Sequence, residues 1–338
     1  MNTLKERRNA IEDAAAKFGK PIYTDNITKI TKPRHELQKE SPKLVSLEDA
    51  IRRCGLKDGM TISFHHHFRG GDKVVNLVVD KLAEMGCKNL YLAASSLSDV
   101  HLPLLRHIKN GVITRITTSG LRGELAKAIS KGIMEEPVIF RSHGSRGAAI
   151  ANGELHIDVA FLGASSSDSL GNACGYSRSE KAKSICGSLG YALPDARYAD
   201  KVVILTDDLV DYPNTPNAIS ESDVDYVVEV ESVGDSTKIA SGAIRDTKNP
   251  RDILLAQQAA KVIINSGYFL DGFSIQTGTG GASLAAVKYI REEMLRRGIK
   301  ASFALGGITA HMVRLHEEGL IERLIDVQSF DKVAAESL

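Results

Sequence analysis

Residues Asp58 to Asp72 read DGMTISFHHHFRGGD. Met60, Ile62 and Phe64 alternate with Thr61 and Ser63, the two-residue period of a strand. Beyond the polar glycine loop, Val74, Val75, Val78, Leu82 and Met85 recur at helical spacing and stop at Gly86. The stretch is thus strand, loop and helix. The same layout returns at Asp271 to Ser283, DGFSIQTGTGGAS.

Three anchors tie the two stretches together as an internal repeat. Asp58-Gly59-Met60 aligns with Asp271-Gly272-Phe273 at an offset of 213 (271 − 58), and Met85-Gly86 with Arg297-Gly298 at 212 (297 − 85). HIKNGVITRI (His107 to Ile116) aligns with HEEGLIERL (His316 to Leu324) across a small gap. The first copy runs to about Lys248; the second is expected to be incomplete at Leu338.

Between the copies a βα rhythm continues. Strands are expected at 89–95, 112–118, 138–140, 156–162, 201–206 and 224–231, with helices in the early gaps. Such alternation predicts an α/β fold with a mainly parallel sheet covered on both faces. The expected organisation is an N-terminal arm (1–45), a first α/β half (46–248) and the beginning of a second (249–338). In the arm, Leu4, Ile11, Ala15 and Phe18 share a helical face before Pro21, Pro33 and Pro42. Ser46 with Asp49 reads as a capping box, and Asn249-Pro250 as a helix start. Ser165 to Ser188, rich in Ser, Gly and Asn after a strand, is a place where function is expected.

The 338 residues suit about two α/β units. Lys plus Arg is 43 against 42 for Asp plus Glu, so no overall field points to nucleic acid or a membrane surface. The N-terminal residues lack the apolar core of a signal peptide, and no apolar run reaches the ~20 residues that span a bilayer. Cys54, Cys87, Cys174 and Cys186 form no CxxC pair and read as reduced thiols of a cytoplasmic protein.

Glycine beyond the carboxyl ends of parallel strands lets backbone N–H groups approach a ligand, though each such turn is also compatible with a plain strand-to-helix connection. Thr277 to Gly281 lacks the Lys of a P-loop and has Ser283 where a dinucleotide fingerprint needs its third glycine. His65, His66 and His67 point to alternating faces and have no HExxH or Cys/His companions, so no metal site is expected. Arg69, between Phe68 and two glycines, is suited to gripping a carboxylate with two parallel hydrogen bonds. Thr118 to Gly123 and Arg141 to Arg146 are further cationic turns, and Leu305 to Thr309 follows a strand of the second copy. Together they favour a polycarboxylate or phosphate ligand. Ser95-Ser96 and Ser165 to Ser167 lack a GxSxG elbow, so no serine hydrolase is indicated.

At these residues the chain resembles the citrate lyase alpha subunit family, from about Ser46 to Leu338. SFHHHFRGGD, SSLSD (Ser95 to Asp99), TSGLRG, GELHIDVAFLGAS, CGSLGYA (Cys186 to Ala192), NSGYFLDGFSIQTGTGGASLA, FALGGITAHMVRLHEEGLI and DVQSFD carry the resemblance. It implies a coenzyme A transferase-type fold of two similar mainly parallel halves, the second continuing in the family beyond Leu338. It also implies the exchange of acetyl for citryl on an acyl-carrier-protein thioester, releasing acetate. The implied partners are a lyase (beta) subunit and an acyl carrier protein (gamma) subunit. No tightly bound cofactor is implied; the working thiol is the phosphoribosyl-dephospho-coenzyme A arm of the carrier, with acetyl-coenzyme A as its surrogate.

On this reading Arg69, Gly70, Gly71 and His66 are catalytic, and His65, His67, Ser119 and Arg122 bind substrate. Thr277, Gly278, Thr279, Gly280, Gly281, Gly306 and Gly307 contact the arm. Many coenzyme A transferases carry a glutamate nucleophile where this chain has Ala304-Leu305-Gly306-Gly307, which implies direct transfer without an acyl-enzyme. The alternative is a non-catalytic or regulatory α/β module that binds a coenzyme A thioester or a sugar phosphate.

Overall fold

The computed structural model describes Asp13 and residues 42–177, 179, 184–239, 247–278 and 280–337. The remainder of the N-terminal arm and Thr279 lie outside the described residues. Helix α1 (Leu47–Arg53) begins where Ser46 accepts from the Asp49 N–H at 3.1 Å. A seven-stranded sheet follows, entirely parallel, in the order β4-β3-β2-β1-β5-β8-β9. Its strands are β1 (Thr61–Phe64), β2 (Leu90–Ala94), β3 (Ile113–Thr118), β4 (Ile139–Phe140), β5 (Val159–Ala164), β8 (Lys201–Thr206) and β9 (Tyr226–Glu229). The short antiparallel pair β6 (Ser166–Ser167) and β7 (Ala173–Cys174) projects from β5.

The fifth strand starts three residues later than its sequence suggests; just before it the Thr61 N–H donates to the Asp158 carboxylate at 2.7 Å and the Asp158 N–H to the Thr61 carbonyl at 3.1 Å. Helices α2 (Val74–Glu84), α3 (Leu104–Lys109), α4 (Gly123–Ser130), α5 (His143–Ala151) and α6 (Leu193–Tyr198) complete the first unit. The chain runs β1, β2, β3, β4 in one direction and then crosses to lay β5 on the other side of β1. That reversal makes the carboxyl ends of β1 and β5 the place where a ligand cleft forms.

The second unit holds α7 (Pro250–Ile264), β10 (Phe273–Ile275), α8 (Gly281–Arg297), β11 (Ala301–Ile308), α9 (Ala310–Glu317), β12 (Leu324–Ser329) and α10 (Lys332–Glu336). Its three strands pair in parallel in the order β10-β11-β12. Asn249 caps α7 through the Arg251 N–H at 3.0 Å, with Pro250 in the first turn.

The repeat is visible at the level of register. Thr61 faces Tyr91 across β1 and β2, and Ser274 faces Phe303 across β10 and β11, at the offsets read from sequence. Leu92 faces Ile116, and Ala304 faces Leu324. One hydrogen bond is duplicated as well: the Lys88 N–H donates to Asp58 Oδ1 at 2.7 Å, and the Lys300 N–H to Asp271 Oδ1 at 2.9 Å.

Two apolar cores result, one within Ala50 to Val233 and one within Ala260 to Ala334. At the end assigned to the arm, Leu44 bridges Val227 in parallel, so residues 42–45 are tied to the edge of the large sheet. No helix among the described residues is long and apolar enough to cross a membrane.

Candidate functional site

The loop after β1 divides its three histidines as a strand-like alternation requires. His65 and His67 turn inward, 6% and 1% exposed, with ring centroids 3.9 Å apart. Burial drives the His65 pKa down to about 4 against the opposing pull of Asp72 and Asp195, and holds His67 well below the usual imidazole range. Both rings, expected to bind substrate, belong to the interior, where none of their four nitrogens has a hydrogen-bond partner among the described residues. His66 points the other way and is half-buried. Its Nδ1 is bonded to Ser95 Oγ. The rings of His143 and Tyr191 stand edge-on to it at 6.0 and 5.9 Å.

Around His66 the carboxyl ends of β2 and β3 and the start of α5 bring polar groups together. Tyr191 Oη lies 3.2 Å from Ser119 Oγ and donates to the His143 carbonyl at 3.0 Å. Beneath Tyr191 lies a buried ion pair. Arg146 donates twice to Asp195, at 2.9 Å each, and also to Ser63 Oγ at 2.7 Å and to the Ala93 carbonyl at 3.1 Å. Its guanidinium sits 5.8 Å from the Tyr191 ring centre. Arg146 is 1% exposed, and burial opposes its charge, but Asp195 more than offsets that and raises its pKa. This buried pair, in which only Arg146 Nε has no hydrogen-bond partner among the described residues, fixes the floor of the cleft.

Arg69 is held differently. Its backbone is left-handed, φ 51°, and its guanidinium lies 5.0 Å above the ring of Phe330 from the second unit. Burial, and secondarily the charge of Arg122, press its pKa down. Among the described residues no carboxylate pairs with Arg69, and its Nη1 has no hydrogen-bond partner. His143 is likewise lowered, by burial first and then by Arg122, Arg69 and Arg146. His66 is lowered well below its ordinary value by burial, then by His143, Arg69, His65 and Arg146. A cleft where burial first, and neighbouring arginines after it, disfavour charged imidazoles is a place prepared for anionic oxygen.

The second unit closes one side. Gln328 on β12 donates its side-chain amide to the His66 carbonyl at 3.0 Å. Ser188 Oγ donates to the Asp326 carbonyl at 2.5 Å, and the Ser188 N–H to Ser329 Oγ at 3.2 Å. A Cβ on Gly190 would stand 2.9 Å from Val327 Cα, so the loop bearing Tyr191 lies flush against β12.

The glycines divide into two kinds. Gly71 donates its N–H to the Phe68 carbonyl at 2.8 Å, and a Cβ there would meet Asp235 O at 2.2 Å. This glycine, expected to be catalytic, is one that close packing requires. Gly70 and Gly71 line a cavity of about 620 Å³ with Lys73, Ser184, Lys238 and Lys332; Gly280 is not among its walls. Gly306 and Gly307 are buried inside β11 at a register shift. A Cβ on Gly307 would meet the Phe330 ring at 1.9 Å, and one on Gly306 (φ 103°) the Gln276 side chain at 2.7 Å. These two glycines, expected to contact a cofactor arm, let Phe330 and Gln276 lie against the strand. Thr277 and Gly281 are half-buried and Gly280, the residue before α8, is exposed with open space where a Cβ would be. A Cβ on Gly278 would stand 3.5 Å from Ser283 Oγ. Arg122 is exposed, within electrostatic reach of Arg69 and His143.

Ser95, Tyr191, His143, Gln328 and Phe330 were absent from the sequence-based site. They lie in SSLSD, CGSLGYA, the Arg141 to Arg146 turn and DVQSFD, stretches whose convergence only the fold reveals. The Ser165 to Ser177 segment is structural in good part: Asp168 accepts from the N–H groups of Leu170, Gly171, Asn172 and Asn214 at 2.9 to 3.1 Å. His156, Asp158 and Asp200, a cluster with metal-ligand spacing, lie at the opposite ends of the strands, where His156 Nε2 is 2.9 Å from Asp200.

Parallel strands with a cleft at the β1–β5 reversal, joined to a second unit of the same plan, define a protein of the coenzyme A transferase-like class. Alpha subunits of malonate decarboxylase share this fold, with a TM-score of 0.62 at 16% identity for the Acinetobacter baumannii protein. The sequence profile of the family described as "Citrate lyase, alpha subunit (CitF)" matches residues 41–338, and the chain belongs to that family. It is 60% identical over 300 residues to the citrate lyase alpha chain of Haemophilus influenzae, covering 89% of this chain and 59% of that one. To the Escherichia coli alpha chain it is 53% identical over 340 residues, covering 99% and 66%. A crystal structure of a citrate lyase alpha subunit from Streptococcus mutans in complex with citrate matches with a TM-score of 0.86 at 57% identity, covering 91% and 60%. The chain thus spans about three-fifths to two-thirds of the length of these relatives.

Proposed function

We propose that this chain carries the transferase step of a citrate lyase, in which acetyl-S-carrier protein and citrate give citryl-S-carrier protein and acetate. A citrate carboxylate attacks the acetyl thioester carbonyl and expels the carrier thiolate, leaving a mixed citric–acetic anhydride. The thiolate then attacks the citryl carbonyl and acetate departs. No proton is moved, so the step needs cations to place the tricarboxylate and hydrogen-bond donors for each tetrahedral oxyanion. The observation that carries this reading is Arg69, half-buried over Phe330 with no carboxylate partner among the described residues and His66 in the same loop. Arg122 adds charge at the rim, and Ser119 and Tyr191 add hydroxyls.

The family membership supports this over a regulatory binding module. A lyase subunit and an acyl carrier protein are the partners this reading calls for. The carrier's phosphoribosyl-dephospho-coenzyme A arm arrives as substrate, not as a resident cofactor. Free thiols at all four cysteines suit work in the reducing cytoplasm.

The test is citrate binding by calorimetry together with acetate release from acetyl carrier protein. Arg69→Ala should weaken citrate binding by about 10- to 100-fold, the loss of a charged hydrogen bond of about 1.5–3 kcal/mol, while the melting temperature holds. Unchanged binding and turnover in that variant would remove Arg69 from the mechanism.

A further inference from the structure

Ser95 and His66 make a contact whose protons can be followed one by one. Ser95 is fully buried. Its N–H donates to the Phe64 carbonyl at 3.0 Å, and its own carbonyl accepts from the Ser119 N–H at 3.2 Å. Its hydroxyl has one partner among the described residues, Nδ1 of His66. A neutral imidazole carries its hydrogen on one nitrogen only. With the hydrogen on Nδ1, that N–H would donate to Ser95 Oγ and leave the buried hydroxyl hydrogen without an acceptor, a state folded proteins rarely tolerate. With Nδ1 bare, the hydroxyl donates into it and both groups are satisfied. The imidazole hydrogen then sits on Nε2, for which the described residues offer no acceptor. The rings of His143 and Tyr191, edge-on to His66, hold its plane.

We infer that Ser95 is a positioning residue that fixes His66 as the Nε2–H tautomer, so that His66 donates a hydrogen bond to an anionic oxygen in the cleft and does not act as a base. The inference rests on the transferase reading for the identity of that oxygen, a citrate carboxylate or a tetrahedral oxyanion. It suits a reaction in which an already ionised carboxylate attacks and no base is required. Burial together with His143, Arg69, His65 and Arg146 keeps the ring neutral, which preserves the distinction between its two nitrogens.

The test is the ring-nitrogen spectrum of the chain carrying ¹⁵N-histidine, with His66→Gln used to assign the His66 signals. Near neutral pH the wild-type protein should show a protonated Nε2 and a bare Nδ1. Ser95→Ala should let the two tautomers mix, and Ser95→Cys, a weaker donor of similar size, should fall between. Acetate release should drop on the order of 10-fold in Ser95→Ala, mainly in kcat, as expected when one oxyanion donor is misplaced without being removed. A protonated Nδ1 in the wild type, or an unchanged His66 spectrum in a folded Ser95→Ala variant, overturns the assignment. A protonated Nε2 in wild-type protein that releases no acetate upholds the tautomer and counts against the transferase reading instead.

Discussion

The chain uses one strand–loop–helix unit twice, and the two loops have come to opposite conditions. After β1 the loop is folded into the molecule, with His65 and His67 buried and Arg69 pinned over an aromatic ring. After β10 the corresponding loop stays at the surface, and Gly280 faces open space. The difference lies in the neighbours. β1 is flanked by both β2 and β5, whereas among the described residues β10 pairs with β11 alone. In the same unit α7 leaves Leu254, Leu255 and Val262 exposed at 55, 53 and 71%. A glycine loop beyond a parallel strand supplies a scaffold; the strand laid against it decides whether that scaffold becomes a cleft.

The ionic floor gives the largest expected effect. The first unit has Arg146 and Asp195 paired in its interior, while the second unit's Arg291–Glu318 and Glu293–Arg296 pairs lie at its surface. Asp195→Ala strands a buried guanidinium and should cost about 3–5 kcal/mol in chemical denaturation. A cost under about 1 kcal/mol would mean that the two units do not differ in this respect. Gly307→Ala should come next, at about 1–3 kcal/mol, because its methyl displaces the Phe330 ring. It should also weaken citrate binding, as Arg69 loses the surface beneath it; an unaltered affinity would show that the second copy does not shape the first.

The seam between the copies should be sensitive to pH. Burial raises the Asp326 pKa to about 6. A carboxyl that binds its proton more tightly when folded loses stability as pH rises from about 4 to about 6, here by about 1–3 kcal/mol. His65, lowered to about 4, acts in the opposite sense, since stability is lost as pH falls below its unfolded value of about 6.5. The difference between wild type and Asp326→Asn in urea melts across this range isolates the carboxyl. A difference that does not change with pH would refute the raised value. Smallest of all, Asp58→Ala and Asp271→Ala should each cost about 0.5–1.5 kcal/mol through the same lost N–H bond. Unequal costs would show that the duplication is one of shape and not of energetics.

The scaffold was legible because strand period and helix spacing are local. The offsets of 213 and 212 carry the pairing of Thr61 with Tyr91 onto that of Ser274 with Phe303. The site was legible only in part. Arg69, His66 and Ser119 could be picked out because unusual polar residues stood in glycine loops. His65 and His67 could not be separated from His66, since which face a residue shows depends on what packs there. Gly71 and Gly307 look like ligand cradles in a sequence. Their true neighbours, Asp235 and Phe330, are separated from them by 164 (235 − 71) and 23 (330 − 307) residues. Gln328 reaches His66 from a position 262 residues away, a contact that no spacing rule contains.

The contact of β12 with the His66 loop has a further consequence. One strand serves as the wall of a cleft and as the joint between two bodies, so affinity and cohesion become one quantity seen from two sides. An acid lodged between Arg69 and its neighbours must resist the prying apart of the units by the free energy of its own binding. A fluorophore on the exposed face of α7 would then report occupancy through the denaturant needed to separate them.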